Sequence, residues 1–219
     1  MDIIDFNPQR NCEDSPITSQ KRPGGPRFDQ QFARNPADFY PTYDASHVVR
    51  ALKVHQWLPP RVWEPHSGEG HLADALKASG HQVVESDLNP QRQGTAQQDF
   101  LKTTAPPKDI GAIVMNPPYN EIDAHLTHAL SLMMPLGGVV CLLCRSDWAF
   151  AAKREEFLTR RDYAGEVKLL WRLRWVPLDQ NKHSGRHNYC VQLWDASPFA
   201  PPTGTKIIGT GRKPREPQQ

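Results

Sequence analysis

Arg61-Val62-Trp63-Glu64-Pro65-His66-Ser67-Gly68-Glu69-Gly70-His71-Leu72-Ala73 has the pattern of a strand, a glycine turn and the start of a helix. Residues 61–64 form a short apolar strand, residues 65–70 a turn with two glycines, and residues 71–79 carry Leu72, Ala75 and Leu76 on one helical face. Gly68 and Gly70 stand where the backbone must turn sharply and let a ligand come close. Ala73 puts the turn in GxGxxA register, so these residues alone leave a nicotinamide dinucleotide open beside other nucleotides.

Working outward, the alternation continues in both directions. Upstream, residues 45–57 place Val48, Val49, Leu52 and Trp57 at helical spacing and stop at Pro59-Pro60. Downstream come a strand at 82–86 leading into Asp87, a weaker extended piece from Thr95 to Asp99-Phe100, and a strand at 110–115. A helix at 122–134 follows, with Ile122, Leu126, Leu130 and Met133 on one face, and Gly137-Gly138 feeds a strand at 139–143. The spacing then predicts a helix at 150–161 and strands at 167–171 and 189–194, which no helix separates and which can therefore pair antiparallel. The expected class is α/β: a mostly parallel, doubly wound sheet with an antiparallel last strand.

Composition bounds the rest. The 219 residues suit one domain with terminal extensions. The 21 prolines are about double the usual share of roughly 5%. Many lie in residues 1–36 and 198–219, where no apolar spacing could bury a face; we expect a flexible N-terminal segment, a domain over 37–197 and a flexible basic tail over 198–219. The net charge of +2 hides an asymmetry: residues 1–144 hold twelve Lys and Arg against sixteen Asp and Glu, residues 145–219 fourteen against eight. A basic carboxyl-terminal third fits a polyanion-facing side as well as a solvated surface. Four scattered cysteines make no disulfide framework, and Cys141 and Cys144 lie inside an apolar run, which predicts buried strand thiols. With no basic-then-apolar leader and no apolar span, a cytoplasmic protein without membrane contact is expected.

The chemistry gathers at strand ends. Asn116-Pro117-Pro118-Tyr119 closes the apolar run 111–115, at a carboxyl end where open α/β sheets keep their ligands. A primary amine conjugated to a heteroaromatic ring is a poor nucleophile until its lone pair leaves the ring. Two acceptors on its hydrogens achieve that: the Asn116 side-chain carbonyl and the Pro117 main-chain carbonyl, the latter fixed by proline torsions. Tyr119 can then stack on the base and exclude water. Asp87 can accept from both hydroxyls of a ribose, and Asp99-Phe100 offers a carboxylate for an adenine amine and a ring for its plane.

In this order, these segments resemble the adenine-N6 family of S-adenosylmethionine-dependent methyltransferases over roughly residues 38–145, of the NPPY type found in small solitary, phage-like enzymes. The resemblance implies a Rossmann-like methyltransferase fold with S-adenosylmethionine as cofactor. It implies that Glu64, Gly68 and Gly70 hold the methionine and ribose portion, Asp87 the ribose, and Asp99 and Phe100 the adenine. It further implies Thr42, in Pro41-Thr42-Tyr43, at the methionine carboxylate, and Asn116, Pro117, Pro118 and Tyr119 as the catalytic segment. His66 and Glu69 read as solvent-facing turn residues.

For the target, Trp171-Arg172-Leu173-Arg174-Trp175 interleaves bases with rings, and Lys182 and Arg186 follow in a polar loop. Arg172, Arg174, Lys182 and Arg186 are candidate phosphate contacts and Trp175 a stacking partner, while Trp171 and Trp194 read as core. Nucleic acid, DNA before RNA, is the expected partner. Protein glutamine, a guanine amine of ribosomal RNA, and a non-catalytic nucleic-acid-binding role are the alternatives. No separate target-recognition domain is visible, so short loops, a partner or a second subunit must supply sequence choice.

Overall fold

The computed structural model describes residues 41–175, 187–202 and 206–212. The chain divides into the units Met1–Arg34 and Asn35–Gln219. All that follows concerns the second, and the expected flexible segment 1–36 lies outside the described residues.

Eight strands form one sheet: β1 (Arg61–Glu64), β2 (Gln82–Asp87), β3 (Ala96–Gln97), β4 (Ala112–Met115), β5 (Val139–Arg145), β6 (Tyr163–Leu169), β7 (Tyr189–Asp195) and β8 (Ile207–Gly211). Their order is β3-β2-β1-β4-β5-β7-β6-β8. β1 pairs in parallel with both β2 and β4, and β4 with β5. Only β7 runs against its neighbours β5 and β6. The expected mostly parallel sheet with an antiparallel strand is present, and the antiparallel strand lies inside the sheet.

Alternation along each strand feeds two cores. Val62, Ala112, Val114, Cys141, Leu143 and Val191 face α1 (Ala45–His55) and α2 (His71–Ala78). Trp63, Ile113, Met115, Leu142, Cys144 and Trp194 face α3 (Ile122–Met133). The strands carry apolar side chains on both faces because helices cover both. Cys141 and Cys144 are buried free thiols, as the apolar run predicts, and Cys190 is a third.

Three expectations change. The helix expected at 150–161 is instead two 3₁₀ turns, Ser146–Phe150 and Ala152–Arg154, followed by one α turn, α4 (Glu155–Leu158). Its inward groups are not one apolar stripe: Arg154 is buried, pairs with Asp123 and lies 5.1 Å from the Trp148 ring centre. The strand expected at 167–171 begins earlier, at Tyr163, and ends at Leu169. The stretch 198–219, expected to be flexible, contains β8, which pairs in parallel with β6. Glycines also seat β8 close against α1: a Cβ on Gly209 would lie 2.6 Å from the His55 ring, and one on Gly211 2.3 Å from Ala51 Cβ, both on that helix. Low apolar content concealed a strand held by backbone approach.

From β1 the chain proceeds outward through β2 to β3, then returns to the other side of β1 with β4. The switch point of the sheet therefore lies between β1 and β4, whose carboxyl ends carry the glycine turn and Asn116–Tyr119, side by side. Ligands of open α/β sheets bind in this crevice.

Candidate active site

At the end of β1, Glu64 is 2% exposed and its Oε2 has no hydrogen-bond partner. Burial, reinforced by the neighbouring Glu85 carboxylate, pushes its carboxyl well above the usual range. The turn beyond it is tied to β2. Ser67 N donates to Ser86 O at 3.1 Å, and Gly68 N donates to Asp87 Oδ2 at 2.8 Å. Gly70, at φ +85°, starts α2 in the left-handed region that glycine tolerates. Asp87 Oδ1 accepts from Asn89 N at 2.7 Å, so this carboxylate shapes the turn and stands at its rim. Leu88, next in sequence, is 56% exposed, an apolar side chain open beside the acid. An apolar residue directly after a strand-end acid is the signal that sequence reasoning missed.

Asp99 caps the 3₁₀ turn Phe100–Lys102 by accepting from Leu101 N at 3.1 Å. Lys102, 2.9 Å away, holds its carboxyl below the usual range. Phe100 departs from its expected role. Its ring is 3% exposed, stacked on His125 at 5.8 Å and met edgewise by Trp63, His66 and His128 at 5.0–5.3 Å. Those contacts leave no open ring face for a base, so Phe100 is part of the floor. His66 departs as well. It is half-buried, with Nε2 hydrogen-bonded to His125 Nδ1 at 2.8 Å, while Glu69 is exposed as expected. Burial pushes the imidazoles of His66 and His125 below their usual values. This pair ties the β1 turn to α3, the helix that follows Asn116–Tyr119.

After β4, Pro117 is buried, while Asn116, Pro118 and Tyr119 are partly exposed. The Asn116 amide is held at both ends: Nδ2 donates to Thr42 Oγ1 at 3.2 Å, and Oδ1 accepts from the Tyr119 hydroxyl at 3.1 Å. Thr42, expected at a methionine carboxylate, is 4% exposed and its Oγ1 accepts from the Asn116 amide. Tyr119 packs against both cores at the sheet's end and lies 6.4 Å from Tyr189, which Trp175 meets edgewise at 4.9 Å. Trp175 is thus part of an aromatic cluster beside Tyr119, and Tyr189 is a member that its place in an apolar strand hid.

Arg174, expected as a phosphate contact, is engaged with an acid of this chain. Its Nε donates to Asp44 Oδ1 at 2.8 Å and its main-chain N to Asp44 Oδ2 at 3.2 Å. Asp44 is 1% exposed at the start of α1, and a buried carboxylate requires such a partner. Arg172 is exposed. It shares a groove of about 590 Å³ with Ser146, Phe150, Trp171, Asn188 and Tyr189. Phe150 is 87% exposed. Trp194 is fully buried core, as expected, and Trp171 is half-buried. Lys182 and Arg186 lie outside the described residues. Among the described residues no cluster of three metal-ligating side chains occurs, and no helix is long and apolar enough to cross a membrane.

The fold has counterparts among solved structures. The candidate RNA methyltransferase PH1948 from Pyrococcus horikoshii superposes with a TM-score of 0.55 at 14% identity, over 75% of this chain and 92% of that one. This is a Rossmann-like methyltransferase fold. A second counterpart was solved in work on the conversion of a disulfide bond into a thioacetal group during echinomycin biosynthesis. It superposes with a TM-score of 0.50 at 15% identity, over 73% of this chain and 89% of that one. No family model and no curated protein matches the sequence.

The crevice of this methyltransferase fold has donors and acceptors that fit S-adenosylmethionine. The orphaned Glu64 Oε2 suits an ammonium, the Asp87 carboxylate suits hydroxyls, and the open Leu88 side chain suits an aromatic face.

Proposed function

We propose that the protein transfers a methyl group from S-adenosylmethionine to the N6 amine of adenine in nucleic acid, DNA before RNA. The observation that carries this reading is the placement of Asn116 and Pro117 beyond β4, next to the β1 turn whose Gly68 is bonded to Asp87. Glu64, Gly68, Gly70, Asp87 and Asp99 would hold the cofactor, with Leu88 taking the role expected of the Phe100 ring. When bound, the cofactor supplies an electrophilic sulfonium methyl.

The chain's own residues prepare the amine. The Asn116 and Pro117 carbonyls accept its two hydrogens and draw the nitrogen out of conjugation, which frees a lone pair. Tyr119, flanked by Tyr189 and Trp175, covers the base plane. No strong base is needed, because the nitrogen that has gained a methyl is acidic and gives its extra proton to water. Pro117 is buried and its torsions are fixed, so its carbonyl does not reorganise as the amine arrives.

Asn116→Ala should bind cofactor as tightly as the parent and lose transfer by at least about 100-fold, the scale of a lost preorganised contact. Calorimetric titration beside a labelled-methyl assay measures both. Mass spectrometry of nucleosides from DNA and RNA identifies the product, and protease- or nuclease-sensitivity of the label identifies the polymer. Undiminished turnover in the variant, or no N6-methyladenine from either polymer, removes the reading.

A further inference from the structure

The Asn116 amide has two chemically different ends, and only its carbonyl can accept from an amine. Whether that oxygen faces the crevice depends on which of its neighbours donates and which accepts. Thr42 and Tyr119 both present hydroxyls, and a hydroxyl can do either. Their acidities break the symmetry. A phenol, with an unperturbed pKa of about 10, is much the more acidic and therefore the better donor, and an aliphatic hydroxyl is the better acceptor. The observed polarity follows that order: Tyr119 donates to Oδ1, and Nδ2 donates to Thr42.

We infer that Thr42 is a positioning residue which fixes the orientation of the Asn116 amide, and that the Tyr119 hydroxyl occupies the carbonyl as a placeholder until an amine replaces it. The second clause rests on the adenine-amine reading above; the first does not. Thr42 is well placed for this work. It is almost fully buried, its carbonyl accepts from Ala45 N at 3.0 Å at the start of α1, and α1 is seated by Val48, Val49 and Leu52. Two residues on, Asp44 is clamped by Arg174, which holds the segment carrying Thr42 against the sheet.

The experiment pairs an activity-independent signal with kinetics, using the full chain. With asparagine labelled by ¹⁵N, the Asn116 side-chain resonances are identified by their loss in Asn116→Ala. Thr42→Val should shift them and speed exchange of an Nδ2 proton with water, while Thr42→Ser should leave both near the parent. Kinetically, Thr42→Val should lower kcat about tenfold, the equivalent of one hydrogen bond. Cofactor Kd should stay within about twofold, and Thr42→Ser should restore the rate. Tyr119→Phe keeps the ring and removes the placeholder, so KM for the polymer should fall about two- to fivefold, a fraction of one hydrogen bond.

Unchanged Asn116 resonances in Thr42→Val overturn the positioning role. So does a cofactor Kd weakened tenfold with kcat intact, which would return Thr42 to the methionine carboxylate. A raised KM in Tyr119→Phe overturns the placeholder. If the parent makes no N6-methyladenine while the resonances respond as stated, the adenine reading and the placeholder fail and the positioning role stands.

Discussion

The middle of the sheet and its β6–β7 side treat their polar groups in opposite ways. Between β1 and β4, the polar groups that the sequence singles out are bonded to the backbone and side chains around them and still edge an open crevice: Asp87 to Gly68 and Asn89, Asn116 to Thr42 and Tyr119. Around β6 and β7, basic side chains pair with acids of the same chain. Arg174 is bound to buried Asp44, Arg160 pairs with Asp162, and Lys168 pairs with Glu166. A basic count measures neither availability nor partner. What separates a phosphate contact from a clamp is whether an acid is buried nearby, and Asp44, 130 residues away in sequence, was invisible as that acid.

The sharpest way to break this contrast is Arg174→Ala. Removing one partner of a buried pair leaves an uncompensated charge, so unfolding in denaturant should show a loss of about 3–5 kcal/mol. Polyanion affinity, corrected to the folded fraction, should not change. A stable variant with weakened nucleic-acid binding would reverse the assignment.

A second prediction concerns the crevice side. Because the Glu64 carboxyl is raised in the folded chain, the native state keeps its proton at pH values where the unfolded chain has lost it. Its contribution to stability is fully present below the ordinary glutamate range of about 4.3 and is lost as pH rises through the raised value. Glu64→Gln should flatten that decline in a series of melts of the cofactor-free protein. If the cofactor's ammonium pairs with ionised Glu64, binding releases a proton, and calorimetry in buffers of different ionisation heat would count it. No released proton would place the ammonium elsewhere.

The smallest effect is expected at Arg172. Its exposed side chain should cost within about 0.5 kcal/mol of stability when replaced by alanine. A phosphate contact there would lower the slope of nucleic-acid affinity against salt by about 1. An unchanged slope would leave the polyanion reading without support from this residue.

Most of the parallel half was legible because burial on both faces writes itself as continuous apolar runs, and because the turn chemistry of glycine and proline is local. Residues 139–143 could scarcely be anything but a buried strand. The site was legible where function sits in one segment, as in Asn116–Tyr119. It was not legible where a contact crosses the fold. Phe100 reads as a free ring, and only the approach of His66, His125 and His128 from other elements makes it floor. Thr42 reads as a cofactor contact until Asn116, 74 residues on, claims its hydroxyl. β8 was missed for a different reason, since a strand held through glycine backbone has no apolar alternation to find.

That strand also decides which edge the sheet presents. Without β8, the last strand in the order would be β6, with a row of free main-chain donors and acceptors, a ready template for another copy. Gly165 lies at φ +121° so close to Ile207 that a Cβ there would come within 2.0 Å of the Ile207 carbonyl oxygen. β8 covers that row and becomes the edge itself, with Ile208 turned outward. It is reached after β6 and β7 have emerged, so a chain cut after Asp195 would keep β1 to β7 while leaving the β6 edge open.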